Sequence, residues 1–126
     1  MASFIGLRRW APGPEVEFVT GEGIVDLHNL AEIERLTISP GRSTLTIGFA
    51  YYGDWRATGV QPHPVELEFG GIRSLKMELP ADYEPRAATS LEGIFYQEIS
   101  GQTRFDIDMD EIQCSLVADT LTLRDV

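Results

Sequence analysis

The segment 105–111 constrains the fold more than any other part of the chain, because apolar and acidic residues alternate in it with a period of two. An extended strand sends successive side chains to opposite faces of a sheet. The apolar side chains are therefore predicted to enter a core, while the aspartates form an acidic ladder in water. The buried set is Phe105, Ile107 and Met109, and the ladder is Asp106, Asp108 and Asp110.

The same period recurs elsewhere and predicts β-hairpins. Alternating apolar residues in 43–51, separated from 33–39 by Pro40-Gly41, are typical of two strands joined by a tight turn. Two further pairs are predicted, 65–69 with 72–79 and 92–99 with 103–109. About nine short strands with frequent turns predict an all-β fold, a single antiparallel β-sandwich or flattened barrel.

One domain is predicted for the whole chain, residues 1–126. Residues 1–23 are expected to be an irregular N-terminal segment with a possible edge strand at 15–20, and residues 24–126 a β-domain. Asn29 and Glu32 have the spacing of a helix capping box, and Leu30, Ile33 and Leu36 fit one helical stripe. At most one short helical turn is therefore predicted, near residues 29–35.

The charge is strongly negative and unevenly distributed. Twenty Asp and Glu against ten Lys and Arg give a net charge of −10, and residues 64–126 hold thirteen of the acids but five of the bases. Such a field repels nucleic acid and anionic membrane surfaces and attracts cationic partners. A protein partner is therefore predicted, with no nucleic acid and no membrane.

Cysteine usage and the N-terminus predict a compartment. Cys114 is the one cysteine in the sequence, so no intrachain disulfide can form, which fits a reducing environment. The short apolar run at residues 4–7 precedes its two arginines, whereas a secretory signal has basic residues first and a longer apolar stretch. A cytoplasmic location is expected.

No catalytic or metal site is predicted. The three aspartates of the ladder occupy positions 1, 3 and 5 of a calcium loop, but Glu111 stands where that loop needs glycine and Val117 where it needs glutamate. Cys114 lies on the apolar face of its strand, and neither His28 nor His63 has a second histidine at metal-ligand spacing. The ladder is interpreted either as a solvated strand face or as a surface for a cationic partner, and no cofactor is expected.

The segment 51–56 is a second candidate contact region. It concentrates two tyrosines, a tryptophan and an arginine beside Gly53, and these residue types are enriched at interface hot spots. Tyr52 and Trp55 are the candidate anchors. In the alternative interpretation Tyr51 completes a strand and Trp55 folds back as a lid on the core.

The segment 27–33, Leu-His-Asn-Leu-Ala-Glu-Ile, followed by Leu-Thr-Ile at 36–38, resembles the pattern L-H-[DN]-x-x-[ILV] of small bacterial β-domains. These include the immunity protein 50 family of polymorphic toxin systems. The order of the later apolar segments is similar as well, over about residues 24–124. Asn29 stands where the pattern usually has aspartate. The resemblance implies a non-enzymatic protein that neutralises a cognate toxin by binding it, and it supplies no catalytic residues.

Charge and resemblance together predict a cytoplasmic binding protein, an immunity protein that occludes a basic toxin surface. Two alternatives remain open: a small-molecule or lipid carrier with an apolar pocket, and a hydrolase with buried carboxylates converging in a cleft. The oligomeric state is not predicted. The predicted partner-binding residues are Asp106, Asp108, Asp110, Glu111, Tyr52 and Trp55.

Overall fold

The computed structural model describes residues 1–53, 62–85 and 89–125. Within them the regular elements are strands and one 3₁₀ turn, Pro40–Arg42, which confirms the all-β prediction. None of these elements is a helix with the length and apolarity needed to cross a membrane. The strands are β1 (Ser3–Ile5), β2 (Glu17–Thr20), β3 (Gly23–Asp26), β4 (Ala31–Ser39), β5 (Thr44–Tyr51), β6 (His63–Gly70), β7 (Ser74–Glu78), β8 (Gly93–Ile99), β9 (Gln102–Met109), β10 (Ile112–Val117) and β11 (Thr120–Asp125).

The strands form two open sheets and a small ribbon. The five-stranded sheet has the order β1-β11-β6-β5-β4, the four-stranded sheet has the order β7-β10-β9-β8, and β2 pairs with β3. The pairing of β1 with β11 is parallel, while the other pairs are antiparallel. The prediction of a single antiparallel sandwich or flattened barrel of about nine strands is therefore wrong in its details. The described residues hold eleven strands, in open sheets with mixed pairing.

Two of the three predicted hairpins are confirmed. Strand β4 pairs with β5 across the Pro40–Arg42 turn, and β8 pairs with β9 across a turn at Ser100 and Gly101. The third hairpin is wrong, because β6 is already paired with β5 on one edge and β11 on the other. The chain instead turns at Gly71, whose φ of +61° suits glycine, and β7 joins the other sheet beside β10.

The predicted helical turn near residues 29–35 is also wrong. The Asp26 side chain accepts hydrogen bonds from the backbone N–H groups of His28 and Asn29, at 3.0 and 2.9 Å, so the Asn29 N–H is not available to a helix cap. Strand β4 follows, with a bulge between Ile33 and Arg35. The bulge inserts one extra residue, which places Ile33 and Leu36 on the same face and imitates helical spacing.

The core lies between the two sheets and is built from their inward-facing side chains. Phe105 and Met109 are fully buried and Ile107 is 1% exposed, which confirms the alternation in that segment. Phe69 on β6 and Phe105 on β9 touch across the two sheets, with ring centroids 5.1 Å apart at an angle of 69°. This edge-to-face contact joins the two sheets in one apolar cluster.

Residues 1–23 are more regular than predicted. This part of the chain forms strand β1 and, at the site of the expected edge strand, strand β2. Trp10 lies between these two strands and packs against the rings of Phe4, Phe18 and Tyr96. The Tyr96 hydroxyl donates a hydrogen bond to the carbonyl oxygen of Trp10. These contacts, together with β1, fix the segment against both sheets.

Candidate functional site

The outer face of the four-stranded sheet presents its side chains in a regular grid. Strand register determines which residues stand directly opposite one another, and opposite side chains on one face lie about 4.5–5.5 Å apart at Cβ. Residues two apart on one strand share that face. The first row is Phe95, Asp106, Ser115 and Lys76; the second is Gly93, Asp108, Gln113 and Glu78, in the order β8, β9, β10, β7.

A groove with a volume of about 580 Å³ lies on this face. Its charged lining consists of four carboxylates and two cations, a local net charge of −2. This sign matches the excess of acidic residues in the C-terminal half of the chain. The carboxylates belong to Glu78, Glu92, Asp106 and Asp108, and the cations to Lys76 and Arg104.

Asp106 is held by its neighbours across the strands. Its Oδ1 atom accepts a hydrogen bond from the Ser115 hydroxyl at 2.7 Å and from the Arg104 guanidinium Nη2 at 3.1 Å. Arg104 also donates from Nε to the Ser115 hydroxyl, at 3.1 Å. The three side chains therefore form one network, in which the carboxylate has a fixed orientation and a paired charge.

Asp108 is held as firmly but is not neutralised. Its Oδ1 atom accepts from the Gln113 amide at 2.8 Å and from the Asp110 backbone N–H at 3.1 Å. In the part of the chain that the structure describes, no lysine, arginine or histidine forms an ion pair with Asp108. Neutral donors orient this carboxylate, so its full negative charge remains in the groove.

The two ends of the groove differ in charge pairing. At one side Lys76 Nζ lies 2.9 Å from Glu78 Oε1, and this hydrogen bond and charge lower the pKa of the Glu78 carboxyl. At the other side Glu92 accepts a hydrogen bond from the Ser90 hydroxyl at 2.7 Å. His28 Nδ1 lies 3.8 Å from Glu92 and donates to the Leu91 carbonyl oxygen at 2.8 Å.

On the outer face of the five-stranded sheet, the two carboxylates of β6 are paired with arginines. Glu66 lies between Arg35 and Arg124, at 2.5 and 3.2 Å, and Arg124 also bonds Glu68 at 2.7 Å. Gly48 makes this possible, since a Cβ there would lie 2.7 Å from Arg35 Cζ. The charges of Glu66 and Glu68 are therefore compensated by arginines, unlike the charge of Asp108 in the groove.

The sequence-predicted contact residues do not form one surface. Asp106 and Asp108 line the groove, whereas Asp110 and Glu111 form the turn between β9 and β10, where Asp110 has a φ of +64°. The ladder therefore has two members on the strand, and the third belongs to the adjoining turn. Tyr52 is 45% exposed beyond the end of β5 and is not part of the groove lining, and Trp55 lies outside the described residues.

The sequence did not reveal the β8 side of the groove. Residues 93–96 are Gly-Ile-Phe-Tyr, so the inward pair Ile94 and Tyr96 and the outward Phe95 are all apolar and no alternation is visible. Phe95 is half-buried on the groove face. Its orientation follows only from the register with β9, which places it opposite Asp106.

The described side chains do not favour nucleophilic catalysis, general acid catalysis or metal binding. Cys114 is buried, and burial, aided by the charge of Asp106, raises the pKa of its thiol to about 11, so it is protonated at neutral pH. A general acid needs a raised carboxyl pKa, but the pKa of Glu78 is lowered. Among residues 1–53, 62–85 and 89–125, no three His, Cys, Asp or Glu side chains are grouped as metal ligands would be.

A second cavity of about 460 Å³ lies between the edge strands β4 and β7. Its lining is mainly apolar and includes one aromatic residue, Tyr83. β4 and β7 are edge strands of their sheets, and Ile33 of β4 forms an isolated bridge with Thr89. The apolar side chains are Ile33, Leu36, Met77, Leu79, Pro85 and Ile112.

Comparison with known proteins supports the fold alone. No family model matches the sequence, and no curated protein is significantly similar to it. The fold is similar to the crystal structure of an uncharacterized protein from Neisseria gonorrhoeae, with a TM-score of 0.51 and 16% sequence identity. The alignment covers 77% of this chain and 92% of that chain.

Proposed function

We propose that this protein is a non-enzymatic cytoplasmic binding protein, an immunity protein that neutralises a basic toxin. The groove on the four-stranded sheet would be the contact surface. The observation that carries the proposal is the charge pairing in this groove. Arg104 and Lys76 are already bonded to Asp106 and Glu78, which leaves Asp108 and Glu92 without a lysine or arginine partner among the described residues.

A cationic partner surface fits this arrangement better than a neutral one. Carboxylates held in place by neutral donors lose little side-chain entropy on binding, and charge-assisted hydrogen bonds are about twice as strong as neutral ones. The net charge of −10 adds long-range attraction. Attraction of this kind raises association rates at low ionic strength and weakens as salt screens it.

The test is complex formation with the product of the adjacent gene, measured by biolayer interferometry from low to high ionic strength. The association rate is expected to fall as salt rises. The double substitution D106N/D108N is expected to weaken the complex about tenfold or more, by loss of charged hydrogen bonds. The matched control, E17Q/E32Q, removes the same charge from exposed positions outside the groove and is expected to bind nearly as the unsubstituted protein does.

Two outcomes would contradict the proposal. One is an association rate that does not change with salt, and the other is equal weakening by both double substitutions. Protection of a bacterial host from the co-expressed neighbouring protein distinguishes an immunity protein from a binding protein of another role. Loss of that protection in D106N/D108N, but not in E17Q/E32Q, is the result that the proposal requires.

The apolar cavity between β4 and β7 supports a second candidate function, a carrier of a small apolar molecule. Pockets for such ligands have volumes of ~300–1,000 Å³ and mainly apolar walls, and this cavity holds about 460 Å³. Titration with a fluorescent fatty acid tests this role. Saturable binding that M77Q abolishes, and that D106N/D108N leaves unchanged, would favour the carrier over the toxin-binding protein.

A further inference from the structure

Gly93 has no side chain, so it leaves a gap in the second row of outward side chains, and this gap is called the Gly93 notch. A Cβ atom built on Gly93 would meet one neighbour within 4 Å, the Pro14 Cβ at 3.5 Å. Pro14 is held there by Glu15, which exchanges backbone hydrogen bonds with Ile94 at 2.9 and 3.1 Å. Gly93 itself is buried, and Pro14, Gly93 and Asp108 all line the groove, so the notch is part of the groove.

The walls of this notch combine an aromatic ring with two carboxylates. Phe95 follows Gly93 by two residues and shares its face, about 7 Å along the strand. Asp108 stands directly opposite Gly93, and Asp106 directly opposite Phe95. A flat group in the notch would thus lie against the Phe95 ring and within reach of both carboxylates.

Each carboxylate has one oxygen held and the other available. Among the described residues, the donors to Asp106 and Asp108 all bond Oδ1, and Oδ2 of each has no donor. Orientation through one oxygen fixes the direction of the second one. At Asp108 the arrangement resembles half of a carboxylate–guanidinium pair from which the cation is missing, whereas Asp106 already bonds Arg104 through Oδ1.

We infer that the Gly93 notch is a socket for a single guanidinium group, an arginine side chain of the bound protein. Arginine fits better than lysine, because its planar head stacks on an aromatic ring and offers several donors in a fixed fork. A lysine ammonium is compact and strongly hydrated and lacks the flat face. The biological role of this socket rests on the proposed function, whereas its chemical preference can be measured without the partner.

The experiment is a titration with N-acetyl-arginine methylamide, followed by amide chemical shifts in ¹⁵N NMR, beside the same titration with N-acetyl-lysine methylamide. The arginine probe is expected to bind with a dissociation constant on the order of millimolar, as befits one small side chain. It should bind several times more tightly than the lysine probe. The shift changes are expected at Gly93, Phe95 and Asp108.

Substitutions locate the site. G93V places a side chain in the notch, and because Gly93 does not have a positive φ, valine causes no backbone strain there. This substitution is expected to weaken arginine binding about tenfold or more. G41A is the control, a glycine with nothing within 4 Å of its added Cβ. D108N removes the charge but keeps an oxygen for Gln113, and D110N is its control in the adjoining turn, where asparagine tolerates the positive φ. Retained dispersion of the amide spectrum shows that each variant is folded.

The possible results separate the socket from the proposed function. Equal affinity for the two probes, or arginine binding unchanged in both G93V and D108N, would overturn the socket. Toxin binding that stays sensitive to D106N/D108N would then still support the acidic surface. Conversely, selective arginine binding without any complex with the adjacent gene product would keep the socket and reject the immunity role.

Discussion

The thiol of Cys114 illustrates how one buried position determines the reactivity of a residue. Burial, with a smaller contribution from the Asp106 charge, raises the pKa of this thiol to about 11. At neutral pH the native protein should therefore react with Ellman's reagent roughly 10²-fold more slowly than an unfolded thiol with a pKa near 8.5. The rate is measured with and without urea, and equal rates in the two conditions would contradict the assigned burial.

Asp26 provides a second prediction at the residue scale, and it concerns pH. Burial alone would raise the pKa of this carboxyl, but hydrogen bonds from Asn29 and His28 outweigh burial and lower it. A lowered pKa stabilises the fold above the unfolded value, ~3.9, and this contribution is lost as the pH falls through the folded value. D26A is expected to reduce the free energy of unfolding by about 1 kcal/mol at pH 7.

This difference between D26A and the unsubstituted protein should shrink as the pH falls from about 4, near the unfolded pKa, through the lower pKa of the folded Asp26 carboxyl. Urea denaturation at several pH values measures it. D82A, in the exposed loop after β7, is the control and should show no such pH-dependent difference. A constant D26A effect down to low pH would mean that the ionised carboxylate is not what holds the turn.

The inward and outward roles of residues on β5 and β9 could be predicted, because large apolar side chains alternate there with small or polar ones. Asp106 and Asp108 were recognised for that reason. Phe95 and Gly93 could not be recognised, since their strand is apolar on both faces and their role depends on Asp108 and Pro14, which are distant in sequence. Strand register brings these residues together from distant parts of the chain, so no local sequence pattern indicates the notch.

At the scale of elements, the docking of β1 depends on the glycine that follows it. Gly6 has a φ of +78°, and a Cβ there would overlap the carbonyl oxygen of Leu123 on β11. G6A is expected to lower the free energy of unfolding by about 2–4 kcal/mol, because steric overlap adds to backbone strain. Thermal denaturation measures the loss, and hydrogen exchange should show β1 opening first.

The matched control for this clash is G101A. Gly101 has a nearly identical φ of +79°, but nothing lies within 4 Å of its added Cβ. It therefore isolates the cost of backbone strain, which is about 1 kcal/mol. Equal destabilisation by the two substitutions would mean that contact with Leu123 does not constrain β1.

Two hairpins between strands joined by short turns were predictable, but the predicted pairing of β6 with β7 was wrong, and pairings between strands distant in sequence were not predictable. The β8–β9 hairpin needs only a tight turn between two alternating segments. The parallel pairing of Ser3 with Thr120 connects opposite ends of the chain, and no local pattern encodes it. The bulge in β4 misled the prediction for a different reason, because one inserted residue gives a strand the spacing of a helix.

For the whole molecule, the N-terminal segment connects the two sheets on which the groove depends. Strand β1 extends the five-stranded sheet, while the Ala2 N–H donates to the Thr103 hydroxyl of the four-stranded sheet at 2.7 Å. The same segment then carries Pro14 to the wall of the notch. The position of this wall therefore depends on attachment of the segment to both sheets.

Thr103 is the residue at which this dependence can be tested, since it is 1% exposed and also donates to Glu98 at 2.8 Å. T103V preserves the side-chain volume but leaves the buried Ala2 N–H without its acceptor. The free energy of unfolding is expected to fall by about 1–3 kcal/mol in one cooperative transition, while T37V on the exposed side of β4 should change it little. A T103V protein as stable as the unsubstituted one would show that this contact does not couple the sheets, as would separate transitions for the two sheets in the unsubstituted protein.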